Sequence, residues 1–163
     1  MFCRLWWCLY IFDRRIALES GRPFVLQDAN IDTALPLCVS DAWLEQFKDS
    51  PNTLESIKDA ISIEVSKKPI TPMPYLRAKI QYSRIVGRIW SFLYGVQSST
   101  SSSHSRKMEY FVDNAIGKFQ SSLPAELRFK HNARTGDDSS TKMHWQQATL
   151  LSLVSGAETM MYL

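Results

Sequence analysis

The sequence predicts an all-α fold: an irregular multi-helix bundle that is an incomplete part of a larger helical domain. Three observations carry this reading. Apolar residues recur at three- and four-residue steps in the stretches 3–19, 54–65, 75–97, 108–123 and 145–163, the period of a helix with one buried face. Proline, glycine and serine clusters separate these stretches. The first and last stretches are fully apolar where the chain begins and ends, so further helices are expected to cover them.

In the first stretch Leu5, Leu9, Phe12 and Ile16 trace the core stripe, and Trp7, Ile11 and Leu18 widen it. Gly21-Arg22-Pro23 stops this helix near Ser20, because glycine accepts the left-handed cap and proline cannot continue the ladder. Residues 24–38 read as irregular but packed, held by Phe24, Leu26, Ile31 and Leu35. A short helix is expected over 41–48 with Ser40 or Asp41 as its cap, and another from Leu54, where Ile57, Ile61 and Val65 keep helical spacing. Three prolines break the chain over 66–74.

The clearest helix spans 75–97. Its two apolar stripes, one through Leu76, Ile80, Ser83, Gly87, Trp90 and Tyr94, the other through Ile85, Ile89, Phe92 and Val96, predict a central helix with two neighbours. The serine tract 97–105 is expected to be a flexible loop, as is the polar stretch 130–141, since neither can bury enough apolar surface to offset the entropy of ordering it. Between them Met108, Phe111, Val112, Ala115, Phe119 and Leu123 predict a helix ending before Pro124. The chain is thus read as one partial domain over 1–163, with a distinctive unit at 1–36.

Composition narrows the function. With 45% hydrophobic and 21% charged residues the chain is globular, and its net charge of +3 is scattered rather than gathered into the patch that DNA contact needs. The apolar run 5–12 is too short to span a bilayer and is followed at once by Asp13, Arg14 and Arg15, so no membrane partner is expected. Cys3, Cys8 and Cys38 lack the paired spacing of a zinc site and read as reduced thiols. His104, His131 and His144 stand apart in polar surroundings, no phosphate loop or nucleophile elbow is present, and no catalytic, cofactor-binding or metal site is assigned. The chain is read as no enzyme. Trp6, Trp7, Trp90 and Tyr94 read as core, with a ligand pocket between helices as the rival reading. Asp13 and Arg14 read as a charged rim of the first helix that pairs with Arg22 of the following loop.

Residues 4–36, RLWWCLYIFDRRIALESGRPFVLQDANIDTALP, resemble the signature of the fungal-specific transcription factor domain, the helical middle region of zinc binuclear cluster regulators. An arginine and a Trp-Trp pair lead into Asp-Arg, Gly-Arg-Pro and an acidic segment closed by Leu-Pro. Arg4, Trp6, Trp7, Tyr10, Asp13, Arg14, Gly21, Arg22, Pro23, Asp28, Ile31, Asp32, Leu35 and Pro36 stand at the matching positions. Residues 76–95 and 118–129 are similar to later helical segments of the family, with Phe119 where a tryptophan is expected.

The resemblance implies a nuclear protein whose helical region controls DNA-templated transcription. It implies DNA contact only through an upstream domain, in which six cysteines hold zinc; no cofactor is expected in this chain. Transcriptional co-regulators, a second copy in a homodimer and a small-molecule effector are the partners it implies. The alternative is a free-standing helical interaction module, or a truncated remnant, with no DNA binding.

Overall fold

The structure, a computed structural model, describes residues 2–46, 54–67, 71–94, 102–128, 146, 149–150 and 152–153. These residues form α1 (Phe2–Ser20), α2 (Asp41–Glu45), α3 (Leu54–Ser66), α4 (Met73–Tyr94) and α5 (Ser102–Ser122), with one 3-10 turn at Asp28–Asn30 and no strand among them. The all-α class is as the sequence predicts. α4 lies between α1 and α5 and packs on both, the central role that its two apolar stripes require.

The helix ends follow local chemistry. Gly21 sits at φ 63°, and the Arg22 and Gly21 amides donate to the Ala17 and Leu18 carbonyls, the paired closure of a left-handed helix cap. Ser40 caps α2 by accepting from the Trp43 amide. Pro72 and Pro74 bracket the start of α4, where a missing proline N–H costs no helical bond. α4 therefore begins two residues before the expected Tyr75.

Two apolar clusters fill the interior. The larger joins α4 and α5 through Ala78, Val86, Ile89, Val112, Ile116 and Phe119, and takes in Ala17, Phe24 and Leu150. Tyr82 belongs to it, and its hydroxyl donates to the Leu153 carbonyl; burial pushes this phenol up to about 12. The smaller sets Trp7 and Tyr10 of α1 against Ile80 of α4, with Leu26, Ile31 and Leu35 packed on it. The 24–38 segment is thus irregular and packed by the anchors expected.

One expectation is reversed. The stripe Leu5, Leu9, Phe12 and Ile16 does not face the core: each is exposed, from 46% at Ile16 to 59% at Leu5. The inward face of α1 is instead Trp7, Tyr10, Arg14 and Ala17. Both faces have helical spacing, and the inward one carries an arginine that counts against it in any reading of hydrophobicity. Its aromatic surface, and the partners that neutralise Arg14, outweigh that charge.

The serine tract is also corrected in part. Ser102–Ser105 belong to the first turn of α5 rather than to a loop, while 97–101 and the 130–141 stretch lie outside the described residues. Of the last stretch, Gln146, Thr149, Leu150, Ser152 and Leu153 are described and helical. α3 forms as expected, and its residues 55–66 are half-buried or exposed.

The reversal of the α1 face is directly testable by urea denaturation. Phe12→Ser is expected to change stability by no more than about 0.5 kcal/mol, as at an ordinary surface site. Trp7→Ala is expected to cost about 3–5 kcal/mol.

Candidate functional site

The residues of the 4–36 unit converge on one side chain, Arg14, which is 2% exposed. α1 places Tyr10, Asp13 and Arg14 on successive turns and neighbouring positions, and the cap at Gly21 turns the chain so that 24–28 runs back over them. The Arg14 Nη1 atom donates to Asp13 Oδ2 at 2.9 Å and to the Leu26 carbonyl at 2.8 Å. Nη2 lies 3.1 Å from Asp28 Oδ1.

The guanidinium is also enclosed by rings, with its carbon 4.3 Å from the Tyr10 centroid and 4.2 Å from the Phe24 centroid. Such stacking suits arginine, which is planar and weakly hydrated. Asp13 completes the loop side: its two oxygens accept from the Val25 and Leu26 amides, each at 3.1 Å. The Tyr10 hydroxyl donates to Asp28 Oδ1 at 2.6 Å. Burial, and next this hydrogen bond, hold the Tyr10 phenol well above its ordinary pKa.

A sixth contributor comes from α4. A Cβ at Gly87 would stand 3.0 Å from Asp28 Oδ2 and 3.2 Å from Arg14 Nε. The absence of a side chain there is what lets α4 approach the Arg14–Asp28 pair, and Arg14 Nε, which has no hydrogen-bond partner, faces it. Every acid around Arg14 is engaged in holding backbone or phenol. Chemically the arrangement is a clasp that fixes three segments. Among the described residues no three His, Cys, Asp or Glu side chains gather in a metal-binding group.

Other positions of the unit extend the clasp along α1. Arg4 pairs with Asp41 and donates to the Val39 carbonyl at 2.7 Å, and Trp7 Nε1 donates to the Ala34 carbonyl at 2.8 Å. Trp6 is half-buried and stacks on Tyr10 with centroids 6.0 Å apart. Pro36 is buried beside these contacts, whereas Pro23 and Asp32 are exposed.

The same residues carry a family assignment. The family model described as fungal specific transcription factor domain matches residues 2–135. The chain belongs to the fungal-specific transcription factor domain family. An uncharacterized transcriptional regulatory protein of Schizosaccharomyces pombe is 28% identical over 124 residues, 74% of this chain and 14% of that protein. A positive regulator of purine utilization of Emericella nidulans is 44% identical over 41 residues, 25% of the chain and 4% of the relative. The pyrimidine pathway regulatory protein 1 of Saccharomyces cerevisiae is 31% identical over 80 residues, 49% and 8% of the two chains. The chain therefore spans only a small part of the curated relatives it matches. No solved structure matches it.

Within this family domain the role expected of Arg22 is corrected. Arg22 is exposed and contributes its backbone amide to the helix cap; the cation that meets Asp13 is its neighbour Arg14. The expected pair failed because Asp13 leans away from the helix toward the 25–26 amides, which brings it to the guanidinium beside it. The aromatics Trp6, Trp7, Trp90 and Tyr94 do not share a pocket either: Trp7 belongs to the smaller cluster, while Trp90 packs on Phe24 and Tyr94. Sequence reasoning also missed Gly87 and Phe24 as parts of the clasp. A glycine inside a long helix is a signal of close approach, and Gly87 carries that signal.

Asp13→Ala is expected to lower stability by about 1.5–3 kcal/mol, the range for hydrogen bonds to a charged group, whereas Arg22→Ala changes it by no more than about 0.5 kcal/mol. Urea unfolding of the two variants checks this, and equal losses would restore Arg22 as the partner of Asp13.

Proposed function

We propose that the chain is the regulatory helical region of a fungal transcription regulator that controls DNA-templated transcription in the nucleus. The observation that carries this reading is the family match over residues 2–135, supported by relatives whose names describe regulators of transcription or of purine and pyrimidine pathways. In this reading the DNA reader is a six-cysteine zinc cluster encoded upstream of Met1, and this chain itself holds no cofactor. The chain acts through contacts with co-regulators or a second copy and by responding to a small molecule, not by turnover. Among the described residues no helix is long and apolar enough to cross a membrane.

A clasp suits that role, since it gives a regulator a fixed frame. A second reading, a free-standing helical interaction module, is favoured by one observation. Phe2, Leu5, Leu9, Phe12 and Ile16 make an exposed apolar stripe along α1, of the kind that marks contact surfaces.

The two readings separate when the transcript is sequenced through its 5′ end and the resulting open reading frame is expressed and assayed for zinc. The regulator reading expects an in-frame cluster of six cysteines with two bound zinc ions. A stop codon directly upstream of Met1 in the same frame would favour the free-standing module.

A further inference from the structure

Between the Asp28–Ile31 segment, α4 and α5 lies a cavity of about 610 Å³. Its polar side is made by Arg84 and Arg88, one turn apart on α4, and its apolar side by Ile31, Phe92 and Phe111. The Phe92 and Phe111 rings are stacked on one another, with 6° between their planes and centroids 6.2 Å apart, and so make this side aromatic.

The charges of this cavity are unbalanced. Asp28, its one acid, shares Oδ1 between Arg14 and the Tyr10 hydroxyl, with Oδ2 beside Gly87, and so offsets at most one of the two arginines. Arg84 lies 4.9 Å over the Trp7 ring and, like Arg88, forms no ion pair among the described residues. Two guanidinium groups beside an aromatic wall match a ligand with a negative group at one end and a flat apolar body at the other. The fork of an arginine suits a carboxylate, sulfonate or phosphate, and the volume lies within the range of small-molecule sites.

We infer that this cavity is a binding site for a small, planar, aromatic or heteroaromatic organic anion, its charge held by Arg84 and Arg88 and its ring packed against the aromatic side that Phe92 and Phe111 make. A ligand here touches the Asp28 segment and α4 at Gly87, the two pieces that the Arg14 clasp joins, so binding also stiffens the clasp. The inference deepens the small-molecule response of the proposed function and rests on it for its purpose, while the binding itself is a property of this chain that is read without any transcription assay.

The test uses the full 163-residue chain with 1-naphthalenesulfonate as probe and 1-naphthalenemethanol as its neutral counterpart, both titrated by isothermal calorimetry. One saturable site is expected for the sulfonate, weakened as salt rises. Arg88→Gln, at an exposed residue that holds no part of the core, is expected to weaken the sulfonate by about five- to thirtyfold, as for the loss of a charge-assisted contact, and to leave the alcohol unchanged. The alcohol is expected to bind at least about tenfold more weakly than the sulfonate. Phe12→Ser, on the outer face of α1, separates adsorption to that stripe from the cavity and is expected to change nothing. Absence of a saturable site, sulfonate binding indifferent to Arg88→Gln, or loss of binding in Phe12→Ser would each overturn the inference.

Discussion

An arginine withdrawn from water is costly unless its charge and its donors are met where it lies. Arg14 meets this condition at its two Nη atoms, though not at Nε, with groups from separate parts of the chain: Asp13 beside it on α1, the Leu26 carbonyl and Asp28 from the returning segment, and the Tyr10 and Phe24 rings packed against it. Tyr10 belongs to the smaller apolar cluster and Phe24 to the larger. The guanidinium is thus the point at which the two clusters of the domain are joined. Gly87 is bound to the same constraint, since α4 reaches this point only where it has no side chain.

The rest of the architecture depends on that junction. The left-handed cap at Gly21 reverses the chain at the place that allows Phe24 to cover Arg14. Beyond it, Trp7 and Arg4 fasten the Ala34 and Val39 carbonyls, so the irregular 24–41 segment is held at intervals along α1 with little secondary structure of its own. The arginine of this network is buried while its partner Asp28 stays partly exposed, so the cost of desolvation falls mainly on Arg14. Arg84 and Arg88 of α4 stand beside the part so fixed.

Much of this was legible in the sequence. Helical periodicity gave the class, α4's paired stripes gave its central place, and Gly21-Arg22-Pro23 and Ser40 marked ends that the structure repeats. The order of the 4–36 residues gave the family. What periodicity did not give was which of two apolar faces of α1 turns inward, because the burial of Arg14 depends on acids and rings that come from positions 24–28. The pairing of Asp13 was misplaced for the same reason: an ion pair depends on where a side chain leans, and sequence order gives only which charges are near. Gly87 was read as one step of a stripe, while its use lies in the space it leaves.

The central claim is that Arg14 pins the returning segment to α1 and α4, and amide hydrogen exchange on the Arg14→Lys variant tests it most directly. Lysine keeps the charge but loses the planar fork and the stacking surface. The Val25 and Leu26 amides, which donate to Asp13, are expected to lose at least about tenfold in protection, a local opening of about 1.4 kcal/mol or more. The amides of α5 from Val112 to Phe119 are expected to keep theirs. Unchanged protection at Val25 and Leu26, or an equal loss across α5, would contradict the claim.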